Sequence, residues 1–230
     1  MKTSRVNGKL LLRSRWLQRI RNSAGFPSGD VYHGDRATGY DAERAGTAFW
    51  ENEQSAVEGF LGQLEPGNTV LDVPIGTGRF LELYGSRGLQ VTGMDRSSDI
   101  MSVAASKAFP LVDLVKGDAT KPLPFAANSF DAVVVFRFLQ YVVNNRAAKR
   151  FIREAARVSK KWVVLELDVS PHEGAANSRH TMLPWQPLAN RSGEKEIKAL
   201  LSSSGLVLDS VSGPLDPVGL AHFAFVCRKQ

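Results

Sequence analysis

The sequence predicts an α/β protein built on a doubly wound, mostly parallel sheet of seven strands. Between residues 69 and 168, five short apolar stretches alternate with helical patterns, as parallel strands joined by helices do. Two more strand patterns follow at 206–211 and 222–227, with glycines and prolines between them that suit an antiparallel connection. The last strand is therefore expected to run against the others. Apolar positions at helical spacing before residue 66 add an N-terminal helical cap.

Most of the predicted helices and strands begin or end at residues that break or cap secondary structure. The first strand, Thr69 to Val73, precedes a turn with Gly76 and Gly78, and the next helix is expected over 79–87. Ser97 is a candidate N-cap for the following helix, which is predicted over 100–108. The other predicted strands lie at 89–94, 111–116, 130–136 and 162–167, and the other predicted helices lie at 144–159 and 193–204.

The net charge of +6 is concentrated in an N-terminal arm, residues 1–29. Seven Lys and Arg residues lie within 1–21, before the first acidic residue, Asp30. Leu12, Trp16 and Ile20 have helical spacing within this arm. Four interpretations stay open: a tail with a helix packed on the domain, a basic helix on an anionic membrane surface, a contact with nucleic-acid phosphates, or an organelle presequence. The rest of the chain is close to neutral, so no nucleic-acid partner is expected for it.

Cysteine count and hydropathy exclude several classes of protein. The single cysteine, Cys227, forms no internal disulfide and no cysteine-cluster zinc site, so we predict a buried thiol and no metal. No apolar run approaches the ~20 residues of a membrane-spanning helix. A reducing, cytoplasmic compartment fits this composition, with the presequence-like arm as the alternative.

The turn after the first strand has the pattern Asp72-x-x-x-Gly76-x-Gly78. A phosphate-binding P-loop would continue with Gly-Lys-Ser/Thr, and a dinucleotide fingerprint would place a third glycine where this chain has Leu81. The pattern resembles motif I of the class I S-adenosylmethionine-dependent methyltransferases, whose usual glycine is replaced here by Pro74. Asp72, inside the strand, is expected to support the turn or to reach the cofactor's amino group through water.

The resemblance continues at the ends of the next three strands and covers residues 66 to 168, closest to the ubiquinone and sterol methyltransferases. It implies a Rossmann-like methyltransferase fold in which a carboxylate after the second strand accepts from the ribose hydroxyls and one after the third accepts from the adenine amino group. On this basis the expected cofactor-binding residues are Asp72, Pro74, Gly76, Gly78, Asp95, Arg96, Asp118, Ala119 and Phe136.

The same likeness divides the chain into parts with different expected roles. After the basic arm, 1–29, we predict one methyltransferase domain over 30–230. It comprises a helical cap at 30–66, a cofactor-binding core at 67–168, a substrate-side insertion at 169–192, and a C-terminal helix and strands at 193–230.

Catalysis by such an enzyme needs a general base only when the acceptor loses a proton at attack. His172 and Tyr141 are the catalytic candidates, with Asp168 and His180 as further candidates for the base. The expected substrate-binding residues are Tyr40, Arg137, His180 and Trp185. Each side chain has an ordinary alternative as a loop or packing residue, and Arg137 has a second one, an ion pair with a neighbouring carboxylate.

The sequence thus predicts methyl transfer from S-adenosylmethionine to an oxygen or nitrogen of a small molecule. The strand-four segment Phe-Arg-Phe-Leu lacks the Asn/Asp-Pro-Pro-aromatic motif of DNA amino-methyltransferases. Two alternatives stay open: an inactive binding or regulatory protein of the same fold, which Pro74 would permit, and a nicotinamide-dependent oxidoreductase, which Leu81 disfavours. A lipid-like acceptor would suit peripheral membrane contact through the arm.

Overall fold

A computed structural model describes residues 34–107, 109–110, 112–139, 145–169, 193–215 and 222–230. Their strands form one seven-stranded sheet in the order β3-β2-β1-β4-β5-β7-β6. The strands are β1 Thr69–Asp72, β2 Gln90–Asp95, β3 Val112–Lys116, β4 Phe130–Val135, β5 Ser159–Asp168, β6 Leu206–Ser212 and β7 His222–Lys229. Strands β1 to β5 pair in parallel, whereas β7 runs antiparallel to both β5 and β6. The predicted fold class is confirmed.

Helices cover both faces of the sheet, as a doubly wound arrangement requires. They are α1 Asp35–Thr38, α2 Ala48–Leu61, α3 Leu81–Ser86, α4 Ser98–Ser106, α5 Asn145–Val158 and α6 Glu194–Ser202. On one face α5 and α6 bury an apolar cluster that includes Phe151, Ile152 and Ile197. On the other, α2, α3 and α4 bury a second cluster that includes Val57, Phe60 and Ala104. Cys227 is buried, as predicted.

Helix α3 is shorter than the predicted span of 79–87. Turns occupy the chain after Gly76, with Gly78 N–H donating to Ile75 O at 3.0 Å and Leu81 N–H donating to Gly78 O at 3.1 Å. The helix begins only after these turns, so Arg79 belongs to the turn and not to the helix.

The predicted cap of α4 and the predicted antiparallel pairing of the last two strands are both observed, whereas most of the connection between those strands lies outside the described residues. Ser97 accepts a hydrogen bond from Ile100 N–H at 3.3 Å and so caps the helix as its sequence context indicated. Strand β5 extends beyond its predicted span at both ends because it pairs with β4 from Ser159 and with β7 up to Asp168. Among the described residues, no helix combines the length and the apolarity that crossing a lipid bilayer requires.

Candidate functional site

The order of the strands reverses between β1 and β4, and both neighbours of β1 run parallel to it. In such sheets the loops that leave the carboxyl ends of the two central strands diverge to opposite sides and open a crevice. The polar residues predicted for the cofactor follow the carboxyl ends of β1, β2 and β3. We call this side of the sheet the carboxyl edge, and the opposite side the amino edge.

The glycine turn after β1 contains two glycines with positive φ but different surroundings. Gly76 has φ +56°, and a Cβ placed on it would come no closer to another atom than 4.0 Å, at Ile100 Cδ1. Gly78 has φ +68°, and a Cβ there would lie 2.5 Å from Leu81 Cδ1 and 3.0 Å from Ala104 Cβ. Gly78 therefore lets the turn pack on α3 and α4, whereas Gly76 leaves backbone accessible on the open side of the turn.

Asp95 at the end of β2 joins this turn to the next helix. Its Oδ2 accepts from Gly76 N–H at 3.1 Å and its Oδ1 accepts from Ser97 N–H at 3.0 Å. The side chain is 8% exposed. Two backbone donors fix the carboxylate beside the open glycine, which is where a ligand bound against the turn would meet a strong acceptor.

The end of β3 lies against the end of β2. Gly117 N–H donates to the backbone oxygen of Asp95 at 2.9 Å, which brings Asp118 and Ala119 to the same edge. Asp118 Oδ1 accepts from Thr120 N–H at 2.9 Å, so one carboxylate oxygen orders its own loop. Ala119 is buried, and Arg96, which follows Asp95, is half-buried.

Asp72, the last residue of β1, is buried and lies beneath the glycine turn. It accepts a hydrogen bond from the Tyr84 hydroxyl at 3.2 Å. Burial raises the pKa of Asp72 to about 8, although the Tyr84 hydrogen bond and the charge of Arg79 act in the opposite direction. The carboxyl group is therefore largely neutral at pH 7, and its observed bond supports α3. The predicted alternative, a contact with a cofactor amino group, stays a prediction.

Three charged side chains tie the cap helix α2 to the loops after β1 and β4. Glu53 of α2 has a fully buried side chain; it accepts from Arg79 and also accepts two hydrogen bonds from Arg137, at 2.6 and 2.9 Å. Burial by itself would raise the pKa of Glu53, but the Arg137 hydrogen bonds and the charge of Arg79 hold it below the usual value. For Arg137 the signs are opposite: burial by itself would lower the pKa, but the hydrogen bonds and the charge of Glu53 raise it above the usual value. Arg137 is thus in the ion pair that its sequence position allowed, and its predicted role toward an anionic substrate stays a prediction.

A second buried carboxylate lies on the other side of Arg137. Glu166 of β5 is 3% exposed, and its Oε2 accepts from Arg137 N–H at 2.6 Å. Its Oε1 faces Nδ1 of His222, the first residue of β7, at 3.4 Å. The imidazole of His222 packs on the ring of Phe49 from α2, with 4.9 Å between the ring centroids. This cluster extends the polar part of the carboxyl edge beyond β4 to β5 and β7.

The segment before α2 also contacts the glycine turn. Thr77 Oγ1 donates to Asp41 Oδ1 at 2.6 Å, and Lys107 Nζ, just after α4, pairs with Asp41 Oδ2 at 3.0 Å. Tyr40, predicted to touch substrate, is half-buried and stacks with the guanidinium of Arg44, whose Cζ lies 3.8 Å from the ring centroid. The cap is therefore fastened to the turn by polar contacts as well as by apolar packing.

Several predicted site residues fall outside the described residues: Tyr141, His172, His180 and Trp185, together with the arm and nearly all of the insertion. For Asp168 the strand position is described and the side chain is not. The expected roles of these residues remain predictions. Phe136, at the end of β4, is buried and packs edge-on against Phe80 with 5.2 Å between centroids.

The sequence interpretation missed Glu53, Glu166 and His222. Glu53 occupies the apolar face of α2, between the buried Trp50 and Val57, and Glu166 interrupts an apolar strand. A charged residue at a position that periodicity assigns to the core is itself a signal of a buried polar partner. His222 carried no comparable signal, because it is the first residue of its strand and interrupts no apolar run.

Comparison with known families identifies the central part of the chain. Residues 71–165, from β1 to β5, match the family model described as a methyltransferase domain. Residues 71–165 are thus similar to a methyltransferase domain, in agreement with the resemblance that the glycine turn and the acidic strand ends carry.

Sequence relatives point in the same direction. The demethylmenaquinone methyltransferase of Renibacterium salmoninarum is 39% identical over 133 residues, which cover 55% of this chain and 54% of that protein. The enzyme of the same name from Paenarthrobacter aurescens is 40% identical over 94 residues, covering 41% of this chain and 35% of that protein. The chain thus spans about half the length, or less, of the curated relatives it matches.

Solved structures share the fold at low sequence identity. A 1,6-didemethyltoxoflavin-N1-methyltransferase from Burkholderia thailandensis, with bound S-adenosylhomocysteine, aligns with a TM-score of 0.64 and 16% identity over 100% of this chain and 92% of that one. The magnesium protoporphyrin IX methyltransferase of Synechocystis, with bound S-adenosylmethionine, aligns with a TM-score of 0.61 and 15% identity over all of both chains. At such identities the likeness establishes the fold alone.

Proposed function

We propose that the protein transfers a methyl group from S-adenosylmethionine to a small-molecule acceptor. The observation that carries this proposal is the geometry of Asp95. Its buried carboxylate ends β2, is held by Gly76 and Ser97 N–H groups, and borders the crevice beside the switch in strand order. The methyltransferase-domain match supports the reaction type, and the cofactor follows from the same family.

The residues at the carboxyl edge fit this cofactor. The space beside Gly76, where a Cβ would meet nothing closer than 4.0 Å, suits an approach of the methionine portion to the backbone. Asp95 would accept from the ribose hydroxyls, and Asp118 and Ala119 would bind the adenine. Gly78 acts indirectly, because its close packing on Leu81 and Ala104 fixes the shape of the turn. Pro74 contributes no N–H group, so the turn has one donor fewer than the usual motif.

The chemistry sets modest demands on the protein. When bound, the cofactor supplies a sulfonium-activated methyl group that an acceptor attacks in line. The chain's own task is to align the acceptor and exclude water, for which the apolar Phe136 and the cap helix α2 are placed. We assign Tyr40, Arg137, His180 and Trp185 to acceptor binding as proposals, and His172 and Tyr141 stay the candidates for acid–base chemistry that the sequence alone offers.

The acceptor class rests on the sequence relatives. Two of them are named as demethylmenaquinone methyltransferases, and we extend a hydroxyl-bearing aromatic acceptor of the quinol class to this chain. The sequence interpretation specifies an oxygen or a nitrogen of the acceptor as the attacking atom. Product analysis with deuterated methyl donor identifies the methylated atom.

A lipid-like acceptor would also give the basic arm a role at a membrane surface. Sedimentation with anionic liposomes of the full chain and of a deletion of residues 1–29 tests this, and equal partitioning of both would remove that role. The cytoplasmic compartment and its organelle alternative stay predictions.

Calorimetric titration with S-adenosylhomocysteine tests the proposed function. Wild type and Asp131→Asn, a carboxylate change at the amino edge, are expected to bind alike at micromolar concentrations. Asp95→Asn should bind roughly 10- to 100-fold more weakly, because hydrogen bonds to a charged acceptor contribute ~1.5–3 kcal/mol.

The two alternative functions, an inactive binding or regulatory protein and a nicotinamide-dependent oxidoreductase, predict different outcomes of the same titration. If folded wild type binds no S-adenosylhomocysteine, the proposal is wrong and Pro74 becomes the feature that disabled the turn. If it binds a nicotinamide dinucleotide instead, the result favours the oxidoreductase alternative.

A further inference from the structure

The pair formed by Glu166 and His222 lies on the part of the carboxyl edge that the cofactor would leave open. Across the sheet the order is β3, β2, β1, β4, β5, β7. The residues proposed for adenine, ribose and methionine follow β3, β2 and β1. The acceptor must therefore approach over β4, β5 and β7, where Glu166 and His222 are located.

The pair is linked to the end of β4 by direct contact. Arg137, the second residue after β4, donates its N–H to Glu166 Oε2 at 2.6 Å. Arg137 has φ +55°, a conformation rare for a residue with a side chain, so this backbone donor is held in place at some conformational cost. Neighbouring strands lie about 4.8 Å apart, which places β7 roughly 10 Å from β4.

Among the described residues, Glu166 of β5 faces Nδ1 of the imidazole at 3.4 Å, and Phe49 of α2 packs on the ring. Arg137 packs on Phe49 as well, with its Cζ 4.0 Å from that ring centroid, and its charge is compensated by Glu53. The backbone of Asp168 is the strand partner of His222. The carboxylate at Nδ1 favours the tautomer that keeps Nε2 free of a proton.

We propose that His222 is the general base that accepts a proton from the acceptor's hydroxyl group, and that Glu166 is the positioning residue that orients its imidazole. This proposal rests on the proposed function and deepens it, because it specifies an acceptor with an ionisable hydroxyl. The 3.4 Å separation is longer than a normal hydrogen bond, and catalytic contacts commonly tighten only when substrate is bound.

The step balances as follows. The hydroxyl O–H bond breaks and its proton binds Nε2 of His222, while the electron pair raises the nucleophilicity of the acceptor. The acceptor then forms a bond to the methyl carbon as the carbon–sulfur bond breaks, and S-adenosylhomocysteine leaves as a neutral thioether. One positive charge disappears from sulfur and one appears on the imidazole, where Glu166 stabilises it. If a ring carbon is methylated, that carbon afterwards loses its proton to water, and the quinolate oxygen that this leaves regains a proton from the His222 imidazolium, which restores the neutral base.

The first test needs no acceptor and measures the protonation of His222 by nitrogen-15 NMR. The chain has four histidines, so the His222→Asn spectrum assigns the resonance by difference. We expect neutral His222 to carry its proton on Nδ1 in wild type, and Glu166→Gln to shift the tautomer toward Nε2–H and to lower the imidazole pKa. A neutral Nε2–H tautomer in wild type, or no change in Glu166→Gln, would overturn the proposal and leave His222 as a packing residue.

The second test measures turnover with a water-soluble demethylated naphthoquinol kept reduced. His222→Asn should lower kcat by about 10²- to 10⁴-fold and remove the acidic limb of the pH–rate profile, with affinity for S-adenosylhomocysteine within twofold of wild type. Glu166→Gln should retain the limb and move it to lower pH. If kcat in His222→Asn stays within threefold of wild type, the proposal is wrong.

The outcomes separate this inference from the proposed function. Absence of S-adenosylhomocysteine binding by wild type contradicts the proposed function, whereas normal binding with an unaltered pH profile in His222→Asn contradicts only the general base. If the naphthoquinol is not methylated at all, the acceptor class is wrong and the NMR result alone decides the role of His222. Loss of folding in His222→Asn, seen as loss of S-adenosylhomocysteine binding, would shift the kinetic test to Glu166→Gln.

Discussion

The two edges of the sheet hold their carboxylates in opposite ways. At the amino edge, Asp131 of β4 accepts two hydrogen bonds from Thr69, each at 2.8 Å, and pairs with Lys160, with a quarter of its side chain exposed. At the carboxyl edge, Asp72, Glu53 and Glu166 are each at most 3% exposed. Of these four acids only the three at the carboxyl edge are removed from water, and among the described residues Glu166 Oε1 has no hydrogen-bond partner, with His222 Nδ1 3.4 Å away.

The difference is largest between the pKa values of Asp131 and Asp72, because Asp72, unlike Glu53, has no arginine bound to it among the described residues. Burial would raise the pKa of Asp131, yet the hydrogen bonds from Thr69 and Lys160 keep it below the usual value. The pKa of Asp72 is raised to about 8 because burial there outweighs the Tyr84 hydrogen bond. Removing charge from water is costly, so the arrangement at the carboxyl edge lowers stability where a ligand site requires fixed polar groups.

The largest effect is expected from Glu53→Gln. This change leaves Arg79 and Arg137 without their shared carboxylate, and breaking a buried ion pair from one side destabilises proteins by about 3–5 kcal/mol. Urea denaturation measures the free energy of unfolding. Asp131→Asn is the control at the amino edge, with an expected loss of about 1 kcal/mol. Equal losses for the two variants would contradict the distinction between the edges.

Burying the carboxyl group of Asp72 lowers the free energy of unfolding, and Asp72→Asn should recover part of that loss to an extent that depends on pH. Because the folded-state pKa is raised, the carboxyl group contributes stability below its unfolded pKa near 4, and this is lost as the pH rises toward 8. The stability of Asp72→Asn relative to wild type should therefore increase between pH 5 and pH 8, by a few kcal/mol.

Thermal unfolding at four pH values measures the stability of Asp72→Asn relative to wild type. Asp131→Asn is the control, because the pKa of Asp131 is shifted in the opposite direction. The lowered pKa of Asp131 means that its contribution is fully present above pH 4 and is lost only as the pH falls through the folded-state pKa. The difference between Asp131→Asn and wild type should stay flat from pH 5 to 8. A flat profile for Asp72→Asn as well would show that Asp72 is ionised in the folded protein.

The two glycines of the turn separate folding from ligand binding. Gly78→Ala adds a Cβ 2.5 Å from Leu81 Cδ1 at a positive φ, so a loss of about 2–4 kcal/mol in the free energy of unfolding is expected. Gly76→Ala meets open space and should lose only about 1–2 kcal/mol from its φ.

The binding data should rank the two variants in the other order. At a temperature where both are folded, S-adenosylhomocysteine affinity should fall more for Gly76→Ala than for Gly78→Ala. The reverse ranking would show that the open side of Gly76 does not face the cofactor.

The smallest effect is expected from Tyr84→Phe, which removes the Tyr84 hydroxyl that donates to Asp72. Loss of a buried hydrogen bond should lower the free energy of unfolding by about 1 kcal/mol and raise the pKa of Asp72 further, since that bond acts to lower it. Comparing the pH dependence of unfolding in Tyr84→Phe and wild type measures the second effect. A decrease in the Asp72 pKa would contradict the described geometry.

Much of the fold, and the grouping of the predicted cofactor residues at one edge of the sheet, was predictable from local patterns. Strand periodicity, the spacing from Asp72 to Gly78, and acidic residues directly after strands are all encoded within a few residues of one another. The start of α3 was misplaced because the turns that delay it depend on hydrogen bonds from Gly78 to Ile75 and from Leu81 to Gly78 that no propensity indicates.

The acceptor half was less predictable because it is assembled from distant residues. Glu53 and Arg137 are 84 positions apart, and Arg137 and Glu166 are 29 apart. No local pattern pairs them, and the sequence signal, a charged residue on an apolar face, indicates that a partner exists without identifying it. His222 meets Glu166 only because β7 pairs antiparallel with β5, which sets the register of Asp168 against His222.

The most direct test of the account is a crystal structure with S-adenosylhomocysteine bound. The account predicts the ribose hydroxyls within hydrogen-bond distance of Asp95, the adenine beside Asp118 and Ala119, and the sulfur above the end of β4, with the space over β5 and β7 left for an acceptor. A ligand with its ribose away from Asp95, or with its adenosyl group over Glu166 and His222, would contradict the division of the carboxyl edge into a cofactor half and an acceptor half.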